Sequence, residues 1–379
     1  MIYLLKKQKM EVKEFYILFL VLVTFVLSIS VVPQVIKVVF NKKIFDAPGG
    51  RKIHTKVTPS MGGIGVFLSF MIVAMLIQYS QGFKVQYFYC SLFMLFFTGL
   101  RDDLLPVKSV HKLLIQILAA SIVAGFANTR LVSLYSFSFL HPGTILPEWL
   151  SFFVSIFIIV AITNAYNLID GIDGLAGSIA TLLLTVLTFW FAINNFWDFA
   201  FLSGSMLGAV LGFLYYNWSP AKIFMGDTGS LVIGFFCATV LIVFMNLNIK
   251  AHYSIDSSVV FFLSLFIYPF FDITRVFYLR LKRKRSPFSP DKLHIHLLLK
   301  RIGFTHVEIT TVIFTTSLIW LVIFMILDYL KINECIILVL LCFYCVGLNF
   351  YLIKKIEGFK KTKSTIDVKT ILKNSKLAK

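Results

Sequence analysis

Apolar runs of about 20 residues, the length that crosses the hydrocarbon of a bilayer, recur along almost the whole chain, with starts near residues 15, 62, 86, 112, 150, 174, 198, 229, 257, 308 and 334. In lipid such segments satisfy their backbone groups only as helices or closed barrels, and runs this long are helical. The sequence therefore predicts an all-α, polytopic integral membrane protein with about eleven transmembrane helices. Composition agrees, with 58% hydrophobic residues and 41 Phe. The first span is too long, and followed by too many others, for a cleaved signal peptide.

A net charge of +18 would suit a nucleic-acid binder, but the basic residues lie between apolar spans and not on a folded face, so no nucleic-acid partner is expected. Membrane topology accounts for them. Arg280 to Arg301 holds eight Lys or Arg, the tail after Ile353 holds nine Lys, and Lys42 to Lys56 is also basic, whereas His141 to Trp149 has none. Positive-inside places these basic segments in the cytoplasm. Counting spans back then puts the N-terminus outside, against the pull of Lys6, Lys7, Lys9 and Lys13. Cys90, Cys237, Cys335, Cys342 and Cys345 form no CxxC pair and read as packing residues.

With this topology Asp46, Asp102, Asp103, Asp170, Asp173, Asp227, Asp272 and Asp291 all map to cytoplasmic loops or span ends. Acids at a membrane face are costly and point to function. Asp102 and Asp103 follow an apolar helix, where they repel each other and the helix dipole, so a cation is required: Arg101, Lys108, Lys112 or a metal. The plainer reading is a solvated turn stopped by Pro106. Asn164, Asn167, Asp170 and Asp173 are spaced by three; the amides share a helical face, and Gly171 and Gly174 turn both acids back toward it. These hard oxygens suit magnesium, the alternative being a polar helix cap. Asp227 opens a helix whose first amides would suit a phosphate, and a divalent ion would reconcile acid and phosphate; a simple N-cap is the alternative. His294 and His296, with Lys292, Lys300 and Arg301 around them, can face one anion from an extended loop. Zinc is disfavoured for want of a nearby Cys, and the polybasic part also suits anionic lipid. Lys56, in a basic loop before Gly62 and Gly63, would add charge for a phosphate or serve as a topology signal.

In order along the chain, KVTPSMGG at Lys56 to Gly63, GLRDDLLPV with KLLIQ at Lys112 to Gln116, NAYNLIDGIDGLAG, FMGDTGSLVIG, and SPFSPDKLHIH ending at His296 resemble the polyprenyl-phosphate N-acetylhexosamine-1-phosphate transferases. The resemblance covers about Arg51 to Gly303. It implies transfer of an N-acetylhexosamine-1-phosphate from a UDP-sugar to undecaprenyl phosphate with release of UMP, at the cytoplasmic side of a bacterial inner membrane, to begin a surface glycan or cell-wall polymer. Mg2+ is the implied cofactor, with Mn2+ as a substitute, and a homodimer is implied from the family alone.

By the same resemblance Asp227 with Asn167 would hold the metal, and Asp102, Asp103 and Lys112 would handle the lipid phosphate, one of the two acids serving as its base in a role debated across the family. Asn164, Asp170 and Asp173 would shape the nucleotide pocket, and His294 and His296 would hold the pyrophosphate and sugar. Residues 1–353 then read as a single transmembrane catalytic domain and 354–379 as a disordered basic cytoplasmic tail. SPFSPDKLHIH resembles the branch taking UDP-GlcNAc; the branch taking UDP-MurNAc-pentapeptide is the alternative. The sequence departs from the family where Leu297 replaces a common third His and where Arg101 stands before the Asp pair. A transporter or lipid flippase is the alternative of another class, but it calls for ionisable groups near the bilayer midplane, and here they crowd at one face.

Overall fold

The computed structural model describes residues 2–42, 58–79, 83–127, 129–133, 145–284, 293–351 and 354, with side chains from residue 12 onward. Lys56, Lys292 and the tail beyond 354 lie outside the described residues. Apart from one antiparallel bridge between Ser133 and Ile145, the described residues are helix and loop.

Eight helices are long and apolar enough to cross a membrane. A further pair, α9 (Ser258–Leu265) and α10 (Ile267–Lys282), meets the same test only when joined across an 80° bend. The expected spans near 62 and 86 fall on α2 (Gly63–Ala74) and α3 (Val85–Leu104). At 12 residues α2 is about 18 Å long, shorter than the hydrocarbon, and α3 ends in Arg101, Asp102 and Asp103. The fold is thus all-α and multi-pass, as the apolar periods require.

At the centre is α8 (Gly226–Asn248), buried without a break from Thr228 to Met245. It is apolar all round, so it needs neighbours on every side, and α2, α3, α5 (Glu148–Ile169) and α6 (Leu175–Ile193) provide them. Large side chains on the outer helices, such as Phe15, Phe97, Phe153, Phe157 and Phe343, stay exposed; in lipid they carry no cost.

Packing fixes the direction of the chain. Helix α1 (Ile2–Asn41) runs parallel to α7 (Trp197–Asn217): Lys13 lies over the Trp197 ring at 5.1 Å, Ser28 Oγ donates to the Ala209 carbonyl at 2.8 Å, and Tyr216 Oη donates to the Ile29 carbonyl at 3.1 Å. Gly208 and Gly212 let the two backbones approach. Because α7 ends and α8 begins at the face that bears Asp227, α1 starts on the opposite face. The N-terminal Lys13 is therefore on the side away from the carboxylates, as span counting required and against the charge of that segment.

The same small-residue logic joins α2 and α3 to the start of α8. A Cβ on Gly63 would strike the Gly229 backbone, and one on Gly99 would strike the Asp227 carbonyl and come within 2.5 Å of Thr228 Cα and N. Gly347, on α13 (Glu334–Tyr351), has nothing within 4 Å of its Cβ position. Gly99→Ala should therefore destabilise the protein by about 1–3 kcal/mol through overpacking, read as a fall in the detergent unfolding midpoint. Gly347→Ala should leave that midpoint unchanged or raise it, since Ala is the better helix former.

Candidate active site

Every acid of the site stands where a helix meets the membrane face. The last turn of α3 presents Asp102 and Asp103, and Pro106 stops the helix so that Val107 N–H can donate back to Asp102 Oδ1 at 2.6 Å. The chain then enters α4 (Ser109–Phe126), whose first turn carries Lys112. That Lys supplies the cation the acid pair requires: its Nζ is 3.1 Å from Asp102 Oδ2 and 2.6 Å from Asp227 Oδ2, bridging α3 and α8. Of the three basic residues considered for this role, the structure selects Lys112.

Asp103 does something else. Its Oδ1 accepts from Asp227 N–H at 2.9 Å, and its Oδ2 accepts from Thr228 N–H at 3.1 Å and Thr228 Oγ1 at 2.5 Å. The first amides of α8, which the sequence offered to a phosphate, are thus occupied by a carboxylate from α3. Position 226 must be glycine for this contact: its φ is +71°, and a Cβ would come within 2.5 Å of the Asp103 carboxylate.

From α5, Asn167 Nδ2 donates to Asp227 Oδ1 at 3.1 Å and to Ser230 Oγ at 2.7 Å. Asp170, the C-terminal cap of α5, faces the same centre and interacts with Gly226 N–H. Burial pushes its carboxyl up to about 8, and the negative charges of Asp227 and Asp103 add to the shift. Asp102, Asp103, Lys112, Asn167, Asp170 and Asp227 therefore converge from four helices and one turn, all part-buried.

Asn164 pairs outside this cluster, and Asp173 departs from the orientation expected for it. Asn164 Nδ2 donates to Gln116 Oε1 at 2.5 Å, so this amide is paired with α4. Asp173 turns away from the Asn face: its Oδ1 is 2.8 Å from His306 Nδ1 at the start of α12 (His306–Tyr329), and its Oδ2 accepts from Ala221 N–H at 3.2 Å. The cause is local, because the α12 start packs against the reversal, where Thr310 Oγ1 donates to the Asp173 carbonyl at 2.9 Å. His306 Nε2 in turn contacts Lys300 Nζ. His306 carried no motif, and only its position in space reveals it.

His294 immediately precedes a short helix, α11 (Ile295–Arg301), and His296 lies in its first turn. The segment is a helix start and not the extended loop expected, yet the rings still lie nearly parallel, 19° apart in plane with centroids 5.7 Å apart.

The donor set can be tested for a metal. Among the described residues no group of three or more His, Cys, Asp or Glu is placed to hold an ion unaided. The oxygens of Asp227, Asp102, Asp170 and Asn167 suit a hard cation that takes one or two protein ligands and the rest from substrate phosphates and water, the habit of Mg2+. The ammonium of Lys112 between Asp102 and Asp227 shows that this spot stabilises positive charge.

Residues 85–245 match the profile of glycosyl transferase family 4. The chain is 29% identical over 323 residues to the probable undecaprenyl-phosphate N-acetylglucosaminyl 1-phosphate transferase of Bacillus subtilis, covering 81% of this chain and 88% of the relative. It is 32% identical over 279 residues to the undecaprenyl-phosphate alpha-N-acetylglucosaminyl 1-phosphate transferase of Salmonella typhi, covering 71% and 72%. It is also 32% identical over 313 residues to the phospho-N-acetylmuramoyl-pentapeptide-transferase of Clostridium acetobutylicum, covering 78% and 94%. The chain belongs to glycosyl transferase family 4, among the polyprenyl-phosphate N-acetylhexosamine-1-phosphate transferases.

Proposed function

We propose that the protein transfers N-acetylglucosamine-1-phosphate from UDP-GlcNAc to undecaprenyl phosphate at the cytoplasmic face of the bacterial inner membrane, the first step of a surface glycan or cell-wall polymer. A lipid phosphate oxygen forms a bond to the sugar-linked phosphorus, the bond from that phosphorus to the bridging oxygen breaks, and UMP leaves with that oxygen. The observation that carries the reading is the Asp102–Lys112–Asp227 bridge: carboxylates from separate helices gathered around one positive charge where water meets lipid. The basic ends of the spans support the sidedness, since Lys42, Arg280, Lys282, Lys300 and Arg301 share the face of the carboxylates.

The chemistry brings two anions together, so it asks for charge neutralisation and in-line placement more than for covalent help. Mg2+ held by Asp227 and Asn167 would supply the neutralisation for the donor pyrophosphate. Lys112, released from one of its carboxylates, is placed to meet the incoming lipid phosphate. Asp103 keeps the start of α8 rigid and so holds Asp227 in position. A phosphate monoester has its second pKa near 6, so the nucleophile is already charged at neutral pH. Asp102 therefore acts by placing Lys112 and not by taking a proton. Asp170 and Asp173 shape the nucleotide side of the pocket, Asp173 through its backbone turn.

Two experiments test this reading. In membranes containing the protein, labelled UDP-GlcNAc should give a lipid-linked product that needs undecaprenyl phosphate and vanishes on chelation of divalent ions. Incorporation only from UDP-MurNAc-pentapeptide would move the protein to the other branch, which the Clostridium similarity keeps as the second reading. Asp102→Asn should lower kcat/KM by about 10²–10³, the cost of losing one preorganised electrostatic contact, at every pH. Activity that returns above about pH 8, once the phosphate is fully ionised, would identify Asp102 as a general base instead.

A further inference from the structure

Tyr268 and Asp272 stand four residues apart on α10, hence on one face of that helix, and each reaches one imidazole of the His294-Ile295-His296 segment. Asp272 Oδ2 lies 2.7 Å from His294 Nδ1, while Oδ1 accepts from Ile295 N–H at 2.8 Å. The Tyr268 hydroxyl lies 2.9 Å from His296 Nδ1. These side chains are buried, with Asp272 and His296 each only 1% exposed. A buried acid whose two oxygens are used on consecutive residues of another segment leaves that segment no freedom to rotate.

The chemistry of the pair decides a tautomer. A carboxylate only accepts, so the imidazole nitrogen facing Asp272 carries hydrogen, and His294 keeps Nε2 as its second nitrogen. His296 is pressed against the turn that follows Asp170, where a Cβ on Gly171 would lie 3.1 Å from its Nε2. Burial holds the His296 pKa down to about 4, so this ring is neutral at physiological pH. The two imidazoles thus adjoin the carboxylate centre with orientations set from behind by α10.

We propose that Asp272 and Tyr268 are positioning residues for the transfer, with Asp272 fixing the Nδ1–H tautomer and the orientation of His294 so that Nε2 is the nitrogen that meets the donor's phosphates. The inference rests on the phosphosugar-transfer reading of the site. Asn at 272 has one carbonyl oxygen for two donors. If that oxygen keeps Ile295 N–H, the amide NH2 faces His294, requires an acceptor at Nδ1, and drives the ring proton to Nε2.

The test is a double-mutant cycle in the full-length protein, with UDP-GlcNAc and undecaprenyl phosphate as substrates. Asp272→Asn should lower kcat by about 10- to 100-fold, the usual cost of removing the partner that orients a functional histidine, with little change in KM for the lipid, and Asp272→Glu should recover part of the loss. In a His294→Asn background the same Asp272→Asn change should cost less than about 3-fold, because the two residues act as a unit. Equal losses in both backgrounds would overturn the proposal.

Nitrogen-15 NMR of histidine-labelled protein, with the His294 signal assigned by its absence in His294→Asn, gives a readout without substrate. The wild type should show the Nδ1–H tautomer and Asp272→Asn the Nε2–H tautomer. A ring tautomer unchanged by the substitution overturns the positioning role even if activity falls. The expected switch in a protein that turns over neither UDP-sugar would sustain the positioning of His294 and count against the transferase reading alone.

Discussion

The N-terminus of α8 is the point on which the site depends. A helix start leaves several N–H groups without partners, and at a membrane face next to an acidic residue they could be met by water, phosphate or a side chain. Here Asp103 meets two of them and the Thr228 hydroxyl as well. That clasp ties the last turn of α3 to the first turn of α8, and it explains why adjacent acids at a helix end are tolerated. One is consumed as a cap, and only Asp102 is left to be neutralised.

Neutralisation then falls to Lys112, which joins Asp102 to Asp227 across two helices. The arrangement needs backbones closer than side chains allow, so the contacts around the α8 start are made through Gly63, Gly99 and Gly226. Polar contacts that close to lipid are strong only when geometry is held fixed. The glycine seam fixes it from one side, and the Asn167 bridge to Asp227 and Ser230 fixes it from the other.

Much of this was legible in the chain. Long apolar runs dictated helices, and the convergence of Asp102, Asp170 and Asp227 followed from acids repeatedly placed at span ends. The partners within the cluster were less legible. That the α8 amides serve Asp103 and not a phosphate depends on how closely α3 approaches, which spacing along the chain does not encode. Sequence spacing groups Asp173 with Asp170 because both sit in one turn, but their side chains diverge once α12 packs over it and brings His306 within reach. Asp272 is legible as an acid at a span end, but its contact with His294 is made on α10, beyond the 80° bend that separates this helix from α9. The count of spans is hard to read for a related reason: α2 is apolar but only 12 residues long.

The middle of α8, from Leu231 to Met245, carries no ionisable side chain apart from the thiol of Cys237 and is enclosed by equally apolar neighbours. An amphiphile whose tail lies in the bilayer can approach the acids sideways, along the leaflet that borders their face, without its headgroup passing the apolar middle of α8. The one acid on α8 thus sits in its first turn, so a headgroup drawn to it rests at the depth of the helix start.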